Sequence, residues 1–371
     1  MTNPVYIGLI SGTSRDGLDA ALVSIDDEQW PRVIEAYCAP YPPALRTAID
    51  ELIALGRCPT GVEAQRADQE FGHFLTDVCR NLLNRANLPD IKLAAIGSHG
   101  QTVWHDPNAQ PGISLQIGNA ELLTGALEVP VVFNFRAADL QAGGVGAPLA
   151  PLLHRAFFAN HAPCAVVNLG GIANVTLLDK HGNVRGFDTG PANCLMDMWT
   201  QRHRHASYDA NGDFARTGAL SRPLLKKFLA EPYFAQDAPK STGLELFNEH
   251  WLEQHLTGDE PPRDVQRTLL ELTVETIAQA LEQAPEQPRH AWLCGGGVHN
   301  GFFAECLQER LSNVSIQSSA EAGIDPDWVE ATLFAWLAHR RLLEQASETG
   351  PITGASRPVL LGDIATIGGE A

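Results

Sequence analysis

Residues 165–178 read AVVNLGGIANVTLL, and residues 5–25 read VYIGLISGTSRDGLDAALVSI. Each is an apolar run, a glycine-bearing turn and a second apolar run. The first predicts strands over 165–169 and 175–178 about GGIAN (Gly170 to Asn174). The second predicts strands over 5–10 and 20–25 about GTSRDG (Gly12 to Gly17). A strand–turn–strand unit that recurs at roughly half the chain length marks a duplicated lobe. A third turn, CGGG (Cys294 to Gly297), follows Ala291-Trp292-Leu293. Glycine lets backbone amides approach an anion with no Cβ in the way, and amides fanned about such a turn form a phosphate-sized nest. Three such turns, with an aspartate (Asp188) at a strand's end, predict a nucleotide held between two lobes of an α/β protein.

The wider composition agrees with that reading. A chain of 371 residues exceeds the usual size of one core and implies two domains. Hydrophobic residues make up 44% and there are 33 glycines, as in a globular α/β enzyme. Lys+Arg is 26 against Asp+Glu 44, a net charge of −18, which repels nucleic acid and anionic membrane surfaces. ATP remains compatible, because local amides and Mg²⁺ would carry that contact. The seven cysteines, at 38, 58, 79, 164, 194, 294 and 306, form no CxxC pair and read as reduced cytosolic thiols. The opening MTNPVYIGLISGTSRDG has neither a cationic start nor an unbroken apolar core, so no signal peptide is expected. No apolar run approaches membrane-spanning length.

Helices are legible between the turns. Thr60 and Glu63 have capping-box spacing, and Phe71, Phe74, Leu75, Val78, Leu82 and Leu83 follow at helical intervals. A second helix is expected to start at Asp264 as N-cap and to bury Val265, Leu269, Leu272 and Leu281. A third, Trp328 to Leu343, is apolar on most sides and reads as central, with Glu348-Thr349-Gly350-Pro351 ending that last long helix. KLAAIGSHGQTVW reads as one buried strand ending in polar residues, and QAGGVGAP (141–148) as a hinge or substrate loop.

Each polar constellation has a plainer explanation beside it. GTSRDG could hold phosphates through its hydroxyls and amides, with Asp16 or Asp19 orienting Mg²⁺ through water, or could be an ordinary hairpin turn. It is not a P-loop, since GxxxxGK[ST] is absent. Asp188 in GFDTGPAN follows a strand over 184–187 and precedes a helix over 195–199. A carboxylate there points to where α/β sheets bind ligands and suits a general base, or else caps a turn. The Asp-Thr-Gly triplet also occurs in aspartic proteases, but their chemistry needs a second such aspartate and this chain has no second D[ST]G. SHGQT, with His99 and Gln101, suits sugar hydroxyls. CGGGVHN leaves room for a flat ring or a ribose, or is a helix-entry turn. Spacing alone makes Lys240, in PKSTG, a surface lysine, and makes His203 and His205 solvated. No metal-ligand spacing such as HExxH is present, so no protein-ligated metal is expected.

Together, ISGTSRDGLD, IGSHGQTVWHDP, LQIGNAELL, GGVGAPLAP, NLGGIANVTLL, GFDTGPANCLMDMW, PKSTG, DVQRTLLELT, CGGGVHN, FAWLAHR and TGASRPVLLG resemble the anhydro-N-acetylmuramic acid kinases of the actin/hexokinase/Hsp70-like ATPase superfamily. The resemblance covers nearly the whole chain. It implies two actin-like (ribonuclease H-like) lobes with a central nucleotide and sugar cleft that closes. It also implies a cytoplasmic homodimer acting in peptidoglycan recycling. The expected lobes are 1–135, with the tail 350–371 returning to it, and 136–349. The implied reaction turns 1,6-anhydro-N-acetylmuramic acid, ATP and water into N-acetylmuramic acid 6-phosphate and ADP.

Carried over residue by residue, the resemblance makes Gly12, Thr13, Ser14, Arg15, Asp16, Gly17, Leu18 and Asp19 the first phosphate loop. Gly170 and Gly171 would lie near the phosphates, and Gly295, Gly296 and Gly297 near the adenosine. Asp188 would be the catalytic base. His99, Gln101, Gly146, Ala147, Pro148, Lys240 and Glu330 would lie near the sugar. Departures from the family pattern are Arg15 for leucine, Ala192 within GPAN for GPGN, Ala137 and Ala138 for arginines, and Leu244 and Leu246 in PKSTGLELF. Of the arginines in that stretch only Arg136 remains a candidate. The rival readings are a plain sugar kinase, in which Asp188 deprotonates an existing hydroxyl, and a non-catalytic ATP-gated interaction protein. The polar loops at 98–102 and 141–148 suit a small ligand better than the latter.

Overall fold

The computed structural model describes residues 3–12, 17–26, 30–88, 91–238 and 240–368. In chain order its strands are β1 (Val5–Ser11), β2 (Gly17–Ile25), β3 (Pro31–Pro40), β4 (Leu93–Ser98), β5 (Gln101–Asp106), β6 (Ile113–Ile117), β7 (Val131–Phe133), β8 (Cys164–Leu169), β9 (Ile172–Leu178), β10 (Val184–Pro191), β11 (His290–Cys294), β12 (Ser315–Ser318) and β13 (Asp363–Ala365). The chain forms two compact units, residues 1–153 with 328–371, and residues 154–327.

The two units share one sheet plan. In the first, the order is β13-β7-β4-β1-β2-β3, and in the second β10-β9-β8-β11-β12. Each begins as an antiparallel meander, β1-β2-β3 and β8-β9-β10. Each then adds parallel neighbours on the other side of its first strand, β4 and β7 in one, β11 and β12 in the other. This strand order, read outward from the meander as 3-2-1-4-5, is that of an actin-like, ribonuclease H-like lobe. The first unit adds β13 as an antiparallel edge on β7.

Helices cover the faces, and so the central strands are apolar runs rather than alternating ones. In the first unit the helix Gly61–Ala86 packs Phe71, Leu75, Val78 and Leu82 against Ile7, Leu9, Leu22 and Ile96. The helix Val329–Leu342 lies against β1 and β4 at two glycines. A Cβ at Gly8 would sit 2.8 Å from Ala335 N, and one at Gly97 2.6 Å from Phe334 C. Backbone can approach that closely only because neither residue has a side chain. Tyr6 OH bonds His339 Nδ1 at 2.8 Å across the same interface. This contact places Glu330, in the helix's first turn. In the second unit Leu269, Leu272 and Ile277 of the helix Pro262–Glu282 pack with Val167, Val175 and Leu293.

Several expectations are corrected. Thr60 is an N-cap but its side chain caps nothing; Glu63 pairs instead with Arg57 at 3.0 Å. Asp264 lies inside the first turn of a helix whose N-cap is Pro261, and its Oδ1 accepts the Ala219 amide at 2.8 Å. The central helix stops at Leu342, and Gly350-Pro351 opens a short helix of its own, Gly350–Thr353. KLAAIGSHGQTVW is not one strand: the chain turns at Gly100, φ +71, so that β4 and β5 join different sheets. The unit borders fall at 153/154 and 327/328, not at 135/136 and 349/350, because residues 139–148 are laced to residues 353–356. Asp139, fully buried, accepts Thr353 Oγ1 at 2.7 Å and Gly146 N at 2.8 Å. Val145 N donates to Thr353 O at 3.0 Å and Ser356 N to Ala142 O at 2.8 Å. Residues 141–148 are therefore a pinned loop rather than a free hinge.

Candidate functional site

Two of the three glycine turns meet in the second unit. Parallel pairing of β8 with β11 sets Asn168 beside Cys294. The GGIAN and CGGG turns therefore leave the same, carboxyl end of the sheet, where α/β proteins bind ligands. Gly297 packs on Leu169 and Asn193, with a Cβ there 2.6 Å from Leu169 Cβ. Gly295, at φ +78, donates its amide to Pro326 O at 2.8 Å. Gly296 differs: it is exposed, and a Cβ on it would meet nothing within 4 Å. At Gly170 and Gly171 a Cβ would make only ordinary contacts, 3.4 Å to Ile172 O and 3.7 Å to Cys194 Cβ. Nothing within the unit therefore demands glycine at 170, 171 or 296, whereas close approach by a ligand would. The carbonyls of Gly170 and Gly171 accept the amides of Asn193, Ala192 and Cys194 at 2.9–3.1 Å, which fixes the turn to the start of the helix Asn193–Arg204.

Asp188 lies within β10, not at its end, and β10 runs on to Pro191. Its register against β9 slips between Asp188 and Gly190, a bulge of the kind that re-aims a side chain. β10 is also the edge of its sheet, so its outer backbone groups need other partners. Asp188 N donates to Lys240 O at 3.1 Å, and Tyr233 OH donates to Asp188 O at 2.7 Å. The carboxylate is held too: Ser241 Oγ and Thr242 N both donate to Oδ2, at 2.8 and 3.0 Å. Burial pushes the Asp188 carboxyl above its usual pKa, the two donors pull it back, and the Glu245 charge pushes it up again. Lys240 is half-buried rather than a free surface residue. Its Nζ donates to Phe234 O at 3.2 Å and Tyr233 O at 3.4 Å, and desolvation lowers its pKa.

The first unit gathers a separate polar cluster. Of its phosphate-loop candidates, Thr13, Ser14, Arg15 and Asp16 lie outside the described residues. Gly17 is required by packing, since a Cβ would come within 2.7 Å of Cys38 Sγ. Leu18 is fully buried in the core, so its side chain is not a ligand contact. Gly12 is half-buried. Asp19, on β2, sits close enough to Glu330 to raise its pKa. Burial raises it first, while Arg136 lowers it; protein crowds the Glu330 carboxyl although solvent still reaches the side chain. Desolvation takes Arg136 down to about 10 against the pull of Glu330, and its Nε is buried without a hydrogen bond.

His99 is buried and drops to about 3, by desolvation and then by the Arg136 charge. It is neutral at pH 7. A carbonyl only accepts, so its contact with Gly100 O at 3.0 Å assigns the proton to Nδ1 and leaves Nε2 an acceptor. Gln101 is largely spoken for: Oε1 accepts from Ser11 Oγ and Tyr41 OH, and Nε2 donates to Thr102 O at 3.0 Å. Gly146 is buried, Ala147 half-buried and Pro148 exposed on the pinned loop. His203 and His205 are exposed, as spacing predicts.

Sequence reasoning missed Ser241, Thr242 and Tyr233 as the clamp on Asp188. The signal was in hand, since two hydroxyl residues follow Lys240 in PKSTG. It also passed over Asp197, half-buried in the helix after Asp188, which burial and then the Asp209 charge raise to about 7. No group of three or more His, Cys, Asp and Glu with metal-holding geometry occurs among the described residues, and no helix among them is long and apolar enough to cross a membrane.

The family model for anhydro-N-acetylmuramic acid kinase matches residues 4–366. Relatives named anhydro-N-acetylmuramic acid kinase include that of Idiomarina loihiensis, 45% identical over 362 residues, 96% of this chain and 97% of that protein. That of Xanthomonas campestris pv. campestris is 43% identical over 372 residues, 98% and 97% of the two chains. That of Pseudomonas savastanoi pv. phaseolicola is 41% identical over 366 residues, 97% and 98%.

Proposed function

The chain belongs to the anhydro-N-acetylmuramic acid kinase family, and from that premise we propose that it opens 1,6-anhydro-N-acetylmuramic acid with water and phosphorylates it from ATP. The products are N-acetylmuramic acid 6-phosphate and ADP. The observation that carries this reading is Asp188, a clamped, partly desolvated carboxylate on a bulged edge strand. It belongs to the unit whose glycine turns have room at Gly170, Gly171 and Gly296.

In the proposed reaction Asp188 takes a proton from a water molecule, whose oxygen bonds to the sugar's C1. The bond from C1 to O6 breaks, and O6 attacks the γ-phosphorus, releasing ADP. The proton held by Asp188 then passes to solvent. Burial fits Asp188 to this work, because it raises the carboxyl's pKa and a base with a raised pKa binds its proton more strongly. Gly170 and Gly171 would lie at the phosphates and Gly295 to Gly297 at the adenosine. Asp16 or Asp19 would orient Mg²⁺ through water; the bound ion would neutralise charge on the phosphate oxygens. Neutral His99, Arg136, the Gly146 to Pro148 loop, Lys240 and Glu330 are proposed for the sugar. Gln101 retains only one amide hydrogen for that purpose. A cytoplasmic homodimer belongs to the same proposal; light scattering on the purified protein tests the dimer.

The test is the reaction run in ¹⁸O-labelled water and quenched quickly. Label at C1 with none in the phosphoryl group is the expected result. Label in free phosphate would mean that water attacks ATP directly. No label anywhere, with an ordinary reducing sugar as the required substrate, would replace this reading with a plain sugar kinase.

A further inference from the structure

We infer that Ser241 is a positioning residue that divides the labour between the two oxygens of Asp188: Oδ2 is the anchored oxygen, and Oδ1 is the one that receives the proton. The inference rests on the proposed role of Asp188 as base, and deepens it. It comes from the distribution of donors. Ser241 Oγ at 2.8 Å and Thr242 N at 3.0 Å both go to Oδ2, and no donor among the described residues reaches Oδ1. A carboxylate held at one oxygen cannot rotate freely about its terminal bond, so the other oxygen keeps a fixed direction.

The backbone reinforces this. Asp188 N is tied to Lys240 O and Asp188 O to Tyr233 OH, at 3.1 and 2.7 Å. The same stretch of chain that carries Ser241 therefore holds Asp188 by its amide, its carbonyl and its side chain. Thr242 gives a backbone amide, which only proline would remove, and proline would also change the backbone. Ser241 gives the one side-chain bond, and mutation can test it.

The clamp has a second consequence. Both donors favour the ionised carboxylate, opposing burial and the nearby Glu245 charge. The other ionisable groups facing Asp188 are Tyr233, which bonds its carbonyl, and Lys240, whose ammonium is spent on the Tyr233 and Phe234 carbonyls. Removing the Ser241 hydroxyl therefore makes Asp188 easier to protonate. Activity that needs ionised Asp188 must then fail at a higher pH.

The experiment compares kcat/KM against pH for the full-length wild type, Ser241→Ala and Ser241→Thr, with 1,6-anhydro-N-acetylmuramic acid and ATP. A hydrogen bond to a charged group carries the equivalent of roughly one to two pH units. Ser241 is exposed, so water recovers part of it. In Ser241→Ala the acidic limb should move up by about half to one pH unit, and the plateau should fall roughly tenfold as orientation is lost. Ser241→Thr keeps the hydroxyl and should return the limb to its wild-type position. Thermal melts of all three should coincide, because the residue sits in an exposed loop. An acidic limb that does not move in Ser241→Ala overturns the inference, whether the plateau falls or stays. A limb that moves equally in Ser241→Thr overturns it as well. A wild type that turns over no anhydro sugar would strike at the proposed function instead.

Discussion

Replacing Gly296 with valine separates a ligand contact from a packing contact. A Cβ at Gly296 meets no protein atom within 4 Å, and the residue is exposed at the start of a short 3-10 turn, Gly296–His299. The valine should therefore cost less than about 1 kcal/mol of stability. Its neighbour gives the contrast. At Gly297 a Cβ falls 2.6 Å from Leu169 Cβ and 3.1 Å from the Asn193 side chain, an overpacking worth about 1–3 kcal/mol or more. That lowers Tm by about 2–4 °C per kcal/mol for a domain of this size. If the adenosine lies on the CGGG turn, the Gly296→Val side chain occupies its place. ADP affinity should fall ten- to a hundredfold, about 1.4–2.8 kcal/mol, with the melt unchanged. Calorimetric titration of ADP and a thermal melt, run on Gly296→Val and Gly297→Val, read the two effects apart. Unchanged ADP affinity in a well-folded Gly296→Val protein would refute the placement and move the nucleotide elsewhere.

Asp188→Asn keeps the shape and removes the proton acceptor, so kcat should drop by roughly 10²-fold or more with ADP affinity nearly unchanged; near-normal turnover would remove Asp188 from the mechanism. Gly8→Val drives a side chain into the backbone of the helix Val329–Leu342 and should cost upwards of about 3 kcal/mol, seen as loss of folded protein; a normal melt would mean that this helix does not rest on β1. Asp197, raised to about 7 when folded, ionises near its ordinary pKa when unfolded. Its contribution is thus fully present below about pH 4 and lost as pH climbs toward 7. Asp197→Asn should accordingly gain roughly 1–3 kcal/mol at pH 8 relative to wild type and little at pH 4; equal effects at both pH values would place the carboxyl in water.

Much of the fold could be read from short-range pattern. The paired runs 5–25 and 165–178 announced the two meanders because apolar residues end abruptly at glycine in both. The fifth strand of each sheet was not legible, since β7 and β12 are only three and four residues long and acquire their place from distant neighbours. The unit border was misplaced for a physical reason. QAGGVGAP looks like a break, but Asp139 and Thr353, 214 positions apart, hold it inside the first unit. The candidate site divides in the same way. Asp188 stands out locally through GFDTGPAN, whereas its clamp comes from Ser241 and Thr242, 53 and 54 positions on. Glycine content alone could not separate Gly296 from Gly17 and Gly297, because the same residue serves an open surface in one case and a tight packing contact in the others.

The second unit is one uninterrupted stretch of chain, residues 154–327, whereas the first is built from what comes before and what comes after it. As the polypeptide leaves the ribosome, the sheet of the second unit has all its strands before the helix Val329–Leu342 exists. Until that helix arrives, β1 and β4 lack the cover that meets Gly8 and Gly97, and Tyr6 waits for a partner 333 positions downstream. Contacts that distant are slow to form, and an apolar sheet face left bare in the interval invites aggregation. The first-made half of this protein is thus the last to be finished, and its nascent chain is the part with most to gain from a chaperone.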